Sequence, residues 1–368
     1  MNNINIPQMK PFFDDAEVTA MSKYLESGAF LTEFTETAAL EKAISEYINV
    51  KHVVMVNNGT LSLFMMLKIL NIGPGDEVIV PNYTMIATPN AVSAVGAEPI
   101  FVDIEPSTLC MDLDLIKGAV SAKTKAILYV SPNGRSPSYP IQDLIDFCAT
   151  SKILFLEDAA QGLGSQFPNG AHLGTLGLMG SFSFSVPKII TMGQGGCIVT
   201  NDDGLASQLR AYKDFGRTQG GIDIHGSIGL NFKITDLQAV IGRVQMSKLP
   251  ARVERKKEIW QKYSEALGST QNIKLFEHDL TLVSPWFIDC LADHREELIS
   301  HLRDNGIGTR KMYPPINAQV AYNKSGTYPI SNLIGEKGLW LPSFVQITDD
   351  EIELVANAIR DFYTNRTP

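Results

Sequence analysis

Ile153-Leu154-Phe155-Leu156-Glu157-Asp158-Ala159-Ala160-Gln161 is a short apolar run that ends in two carboxylates. An apolar run of this length fits a strand covered on both faces. Comparable β-rich runs occupy residues 52–56, 77–80, 99–103, 126–130, 180–184 and 196–200. Helical stretches separate most of the earlier ones. Residues 14–26 read as an amphipathic helix ended by Gly28, 35–48 as a second, and Asn58-Gly59-Thr60 opens an apolar one through Leu70. Strands and helices in that alternation predict an α/β fold, with a mainly parallel seven-stranded sheet flanked by helices.

Working outward, residues 235–248 read as a long helix and 252–267 as a charged one. Strand-like residues 281–291 and helices at 295–305 and 349–364 then suggest a smaller α+β domain. The division falls near residue 248, giving a large domain over 1–248 and a C-terminal one over 249–368. A chain of 368 residues exceeds the usual single core, so two units are the natural expectation. Its 44% hydrophobic and 19% charged residues fit a compact fold.

The formal net charge of -9 argues against nucleic acid as the main partner. The one basic cluster, Arg255-Lys256-Lys257, is flanked by Glu254 and Glu258. Cys110, Cys148, Cys197 and Cys290 show no metal or redox spacing, and the six histidines no ligand pairing, so no metal is expected. Met1 to Lys10 lacks an apolar signal core, and no run approaches membrane-spanning length. The expectation is a soluble cytoplasmic protein with no membrane contact.

Ligands of open parallel sheets bind beyond the carboxyl ends of the strands. Three such places carry unusual residues. At Asn57-Asn58-Gly59-Thr60 a strand turns into a helix, whose first N–H groups and Thr60 hydroxyl suit a phosphate; a turn with a helix cap explains the same residues. Glu157-Asp158 is costly at the end of an apolar strand unless a carboxylate meets a cation, such as a pyridinium nitrogen; a capping Asp is the plainer reading. Gly180-Ser181-Phe182-Ser183-Phe184-Ser185-Val186-Pro187-Lys188 delivers one lysine into a loop of small residues before Gly193-Gln194-Gly195-Gly196. Desolvation there would lower the lysine pKa as Schiff-base chemistry needs, and Ser183 could hold a phosphate; a snorkelling surface lysine is the alternative. Residues 193–196 lack dinucleotide-fingerprint spacing. Ser185-Val186-Pro187-Lys188 lacks the companion tripeptides of penicillin-binding enzymes.

Taken in order, Gly59-Thr60, Asp158, Gln161, Ser183 and Lys188 make a set that resembles the DegT-type nucleotide-sugar aminotransferases, fold type I pyridoxal-phosphate enzymes. The likeness runs from Ile6-Pro7 and Ser27-Gly28 through Gly75-Asp76-Glu77-Val78-Ile79-Val80-Pro81 and Gly229-Leu230-Asn231-Phe232-Lys233 to Leu341-Pro342-Ser343. It implies that Lys188 is the Schiff-base lysine and moves the proton. Asp158 would pair with the pyridine nitrogen and Gln161 with the phenolic oxygen. Gly59, Thr60 and Ser183 would hold the phosphate, with Asn231 reaching it from the partner subunit of a homodimer with shared sites. The implied reaction takes an amino group from an amino acid, L-glutamate, through pyridoxamine 5'-phosphate to a keto-sugar nucleotide. A 4-keto-6-deoxyhexose, as in perosamine-type synthesis for surface polysaccharide, is the expected acceptor.

This chain departs from the family pattern in places. Met85 stands where an aromatic ring often covers the cofactor, Gln194 where Glu is usual, and Pro187 where Asn commonly precedes the lysine. Ser131-Pro132-Asn133-Gly134-Arg135 replaces a His-x-Tyr-Gly segment, which marks Asn133 and Arg135 as candidate substrate residues. Arg217 and Arg310 are further candidates for a diphosphate or donor carboxylate, which arginine forks suit. Another cyclic ketone, a keto-inositol or 3-keto sugar, stays open as the acceptor. Related sugar dehydratases carry His in place of Lys188, and a cofactor-binding sensor would tolerate loss of Lys188 or Asp158.

Overall fold

All seven apolar runs enter one sheet in the computed structural model, which describes residues 5–365. The N-terminal reading of residues 1–10 therefore lies partly outside the described residues. Helices α1 (Asp15–Glu26) and α2 (Thr35–Ile48) precede β1 (His52–Val56) and α3 (Gly59–Ile69). Then come β2 (Glu77–Pro81), α4 (Ala87–Ala94), β3 (Glu98–Val102), α5 (Leu113–Ala119) and β4 (Thr124–Val130). The unit continues with α6 (Ile141–Ser151), β5 (Leu154–Asp158), β6 (Met179–Ser183), β7 (Gly196–Thr200) and α7 (Asp203–Lys213).

The strand order is β1-β7-β6-β5-β4-β2-β3. Strands β3, β2, β4, β5 and β6 run parallel, and β7 is antiparallel to both of its neighbours. Successive side chains of a strand point to opposite faces, and the core divides accordingly. Val54, Val78, Val80, Leu128 and Leu156 pack under α3, α4 and α7. Ile79, Ile127 and Phe155 pack under α5 and α6, while Val53, Met55 and Cys197 meet α2 and the following helix. Both faces are covered, so the strands read as unbroken apolar runs.

That following helix is α8 (Asp236–Leu267), a single rod of 32 residues opened by a Thr235/Gln238 capping box. The sequence reading of two helices, 235–248 and 252–267, is corrected here. Pro250 removes one backbone donor, but the helix runs through it because both flanks are anchored. Leu249 and Val253 are buried, and the Arg252 guanidinium donates to the Ile189 and Phe12 carbonyls and to Gln245. Residue 248 thus lies inside a helix rather than in a linker.

The C-terminal unit holds β8 (Ile273–Leu275), β9 (Ile288–Ala292), α9 (Arg295–Asp304), β10 (Arg310–Lys311), α10 (Pro329–Lys337), β11 (Gly338–Leu341) and α11 (Asp349–Thr364). Its four-stranded antiparallel sheet, β10-β11-β9-β8, shares a core with the end of α8, α9, α11 and Ile6. Of the strand-like stretch 281–291, only the part from Ile288 onward is strand. Asp279 accounts for the difference. Its carbonyl accepts from the N–H groups of Leu282 and Val283, and its carboxylate from Thr281, which curls the chain into a turn. Among the described residues no helix is long and apolar enough to cross a membrane.

Candidate active site

Strand parity separates the two carboxylates that end β5. Glu157 accepts the N–H groups of Gly174, Leu176 and Gly177 at 2.8, 2.7 and 2.6 Å and so shapes the loop before β6. Burial pushes its carboxyl up to about 7, against those three donors. Asp158 turns the other way, into a cavity. It accepts from the Thr88 hydroxyl at 2.8 Å and the Ala160 N–H at 3.1 Å, and Thr88 is bonded in turn to Thr84. Burial raises the Asp158 carboxyl above its ordinary range, while Thr88, Ala160 and the Lys188 charge oppose the rise.

At the end of β1, Asn58 caps α3 by accepting from the Leu61 N–H at 2.9 Å. The first N–H groups of the helix have no partner within it. Glycine is required at this turn twice over. A Cβ on Gly59 would come within 2.9 Å of the Ser183 Cβ, and one on Gly196 within 2.5 Å of the Asn58 carbonyl carbon. Close approach therefore brings Ser183, at the end of β6, against the start of α3.

Beyond Ser183 the chain turns, with the Lys188 N–H donating to the Ser185 carbonyl at 3.0 Å, and presents the Lys188 ammonium to the same cavity. Burial pulls its pKa down to about 8, against the attraction of Asp158 and with the repulsion of Arg310. The cavity holds about 700 Å³, and Gly59, Thr60, Met85, Asp158, Gln161, Ser183 and Lys188 all line it. Met85 is 45% exposed at its mouth. The Gln161 Oε1 accepts the Asn133 N–H at 2.7 Å, which leaves its amide NH₂ as the group free to donate.

Other candidates stand elsewhere. Asn133 is buried in the left-handed region with φ of 54°, and its side chain makes reciprocal bonds to the Phe287 backbone at 2.6 and 2.8 Å. Arg135 is buried and forks onto Asp289 at 2.8 and 2.6 Å. Neither lines the cavity. Arg217 pairs with Asp214 and Asp223 on the surface. Arg310 lies on β10 beside the aromatic faces of Trp340 and Tyr313. Asn231 is exposed, outside the cavity of its own chain. Among the described residues no cluster of His, Cys, Asp or Glu could hold a metal ion.

The sequence reading did not mark Thr88, which holds Asp158, or Trp286, whose ring lies against the Lys188 ammonium. Thr88 follows Thr84 by four residues, a visible spacing whose meaning depends on the sheet order. Trp286 comes from the C-terminal unit and carries no local signal.

A mainly parallel sheet with one reversed strand, presenting a lysine opposite a buried aspartate and a helix N-terminus, defines a fold type I aminotransferase. The chain belongs to the DegT/DnrJ/EryC1/StrS aminotransferase family, whose model matches residues 12–360, and it is a sugar aminotransferase by that membership. It is 31% identical over 365 residues to the GDP-perosamine synthase of Escherichia coli O157:H7, covering 98% of this chain and 99% of that protein. The aminotransferase TlmJ from Streptoalloteichus hindustanus superposes with a TM-score of 0.92 at 29% identity, covering 98% of this chain and 100% of the other. The PLP form of a putative sugar aminotransferase from Streptococcus pneumoniae gives a TM-score of 0.92 at 26% identity, covering 99% and 100%.

Proposed function

We propose that this chain transfers an amino group from L-glutamate to the ketone of a nucleotide-linked 4-keto-6-deoxyhexose, using pyridoxal phosphate held on Lys188. The observation that carries the reading is the placing of Lys188 and Asp158 in one cavity whose rim is the start of α3.

The residues fit the cofactor. Asp158 is a buried carboxylate whose hydrogen-bond donors are neutral, so a cationic ring nitrogen would complete its surroundings. The α3 N-terminus, Thr60 and Ser183 offer N–H and O–H donors where side-chain bulk is excluded by the Gly59 contact, as a phosphate requires. The free amide of Gln161 suits the ring oxygen. Bound pyridoxal phosphate supplies the carbonyl that accepts the amino group and the ring that spreads carbanion charge.

The chain's own residues do the rest. Lys188 Nζ would hold the cofactor, and as a free amine it would move the proton to and from the substrate carbon. Asp158 keeps the ring nitrogen protonated by its negative charge, and Thr88 holds that carboxylate in place. Met85 closes one side of the site with a deformable thioether. Arg310, the cation whose charge reaches Lys188, is suited to a donor carboxylate.

The E. coli relative's name, GDP-perosamine synthase, supports a GDP-linked amino sugar as the product, and the S. pneumoniae structure in its PLP form supports the cofactor. A homodimer acting in the cytoplasm is the form we propose. Supporting it, Asn231 is exposed, as are Ile224, Ile228 and Leu230 in the stretch just before it, where a second copy could cover the apolar residues and receive Asn231.

The test is the visible spectrum of the purified protein with and without glutamate, beside Lys188→Ala. A band near roughly 410–430 nm that glutamate bleaches, and that the variant cannot form, is expected. Absence of bound cofactor in the wild type would sink the reading. A band indifferent to glutamate would remove the donor assignment alone.

A further inference from the structure

Trp286 approaches Lys188 from the segment that leads into β9. Its indole N–H donates to the Pro187 carbonyl at 2.6 Å, and the Lys188 Nζ lies 4.4 Å from its ring centroid. One side chain thus grips both the backbone before the lysine and the lysine's cationic end. Trp286 is itself immobilised. It stacks on Phe287 at 4.0 Å with planes 24° apart, and Trp340 meets it edge-on at 5.7 Å. The Phe287 backbone is pinned in turn by Asn133.

Other charges around the lysine are few and come from several elements. Asp158 on β5 attracts it, and Arg310 on β10 repels it. Lys10, Arg252 and Lys256 line the small cavity behind it, and burial pulls the Lys256 ammonium down to about 7. Among the described residues no carboxylate lines that cavity; Glu17 and Asp14 stand beyond it, acting on Arg252. Phe12 and Phe287 face Arg252 and Lys256, and the Trp286 indole is the ring against which the Lys188 ammonium lies; a ring attracts without holding the proton as a carboxylate would.

We propose that Trp286 is a positioning residue for the reaction: it receives the Lys188 amine whenever that amine is not bonded to cofactor, and keeps it aimed at the cavity. This rests on Lys188 being the cofactor lysine. Ring attraction favours the ammonium, and the grip on Pro187 fixes where the amine stands after it loses its proton.

The test follows cofactor capture by cofactor-free protein across pH, in the wild type, Trp286→Leu and Trp286→Phe. Pyridoxal phosphate is added, and growth of the visible band reports condensation of the Lys188 amine with its aldehyde, which releases water and needs the unprotonated amine. Loss of the ring should lower the pH midpoint in Trp286→Leu by about 0.4–1.5 units. Its limiting rate at high pH should fall by about 10-fold or more through lost aim. Trp286→Phe keeps a ring face and loses the N–H bond, so its midpoint should stay near that of the wild type while its limiting rate falls.

A Trp286→Leu protein of normal melting temperature with an unmoved midpoint overturns the proposal, whatever its rate. If Trp286→Leu does not fold, Trp286→Phe decides: a limiting rate equal to the wild type's overturns the proposal, and a reduced one at an unchanged midpoint upholds it. A wild type that forms no band sinks the cofactor assignment and this proposal together, whereas a normal wild-type band with unaltered variants sinks this proposal alone.

Discussion

At Asp158 a carboxylate is held out of water by one hydroxyl and one amide donor, 6% exposed. Asp158→Asn preserves that shape and removes the charge. The variant should still take up pyridoxal phosphate on Lys188, but its glutamate half-reaction should slow by about 10²-fold or more, since a preorganised charge is lost. Rapid-mixing absorbance checks this, and an unchanged rate would place the carboxylate outside the chemistry. Lys188 gives the pH sign. With its pKa drawn down to about 8, cofactor capture should be slow below that pH, rise through it and level off above. Initial capture rates between about pH 6 and 11, bracketing that value and the ordinary lysine one, measure it. At this scale the sequence was most legible where residues end strands. Gly59, Asp158, Gln161 and Ser183 could be marked as candidates because each stands at or just beyond the end of a strand, and all four line the cavity. Trp286 could not be, since it meets Lys188 from about a hundred residues away, at a sequence separation of 99 between the bonded groups.

Between elements, the loop after β4 is tied to β9 by Arg135 and Asp289, both almost wholly buried. Burial would raise the Asp289 carboxyl, but the Arg135 charge and the bonds from His278 and Arg135 hold it down to about 2. Because the folded pKa lies below the ordinary aspartate value of 3.8, the contribution is complete above that value and is lost as pH falls through about 2. Its size is about 2 kcal/mol. Arg135→Met leaves a buried charge unpaired and should cost about 3–5 kcal/mol of stability. Arg135→Met combined with Asp289→Leu should recover most of that in denaturant titrations; no recovery would show that the pair acts through something other than charge. Most helices and strands of the first unit were readable from period and caps. The stretch at 281–291 misled because β-branched Thr and Val fit either a strand or the turn that Asp279 imposes, and Pro250 misled because a local helix breaker was outweighed by tertiary anchors at Leu249, Arg252 and Val253. The Arg135–Asp289 pairing, 154 residues apart, leaves no local pattern to read.

For the whole molecule, a charge of -9 keeps copies apart at a distance, yet Phe30, Ile224 and Ile228 are 67%, 72% and 89% exposed. Isolated apolar residues on a surface need no explanation, but in sequence Phe30 follows the Ser27-Gly28 turn, and Ile224 and Ile228 lie just before Asn231. Ile228→Glu should shift the protein to monomer in sedimentation and weaken cofactor retention together, if Asn231 serves the neighbouring copy. A monomer with full cofactor retention would separate the two. The fold class was legible at this scale because seven apolar runs at regular intervals leave few ways to cover both faces of a sheet. The second sheet was not, because strands of two to four residues, such as β10 and β11, are too short to show a period.

Helix α8 has a mechanical consequence. Its N-terminal half is buried with Met246 and Leu249 in the core beneath the large sheet, and its other half with Ile259 and Tyr263 in the core of the small one. A continuous rod of 32 residues, about 48 Å long, acts as an axle fixed in both bodies. Swinging the small sheet away from the large one would require bending that axle or tearing one end from its bearing. The expectation is that substrate enters by rearrangement of light parts, such as the Met85 side chain and the surface loops, rather than by a jaw-like movement of the two halves.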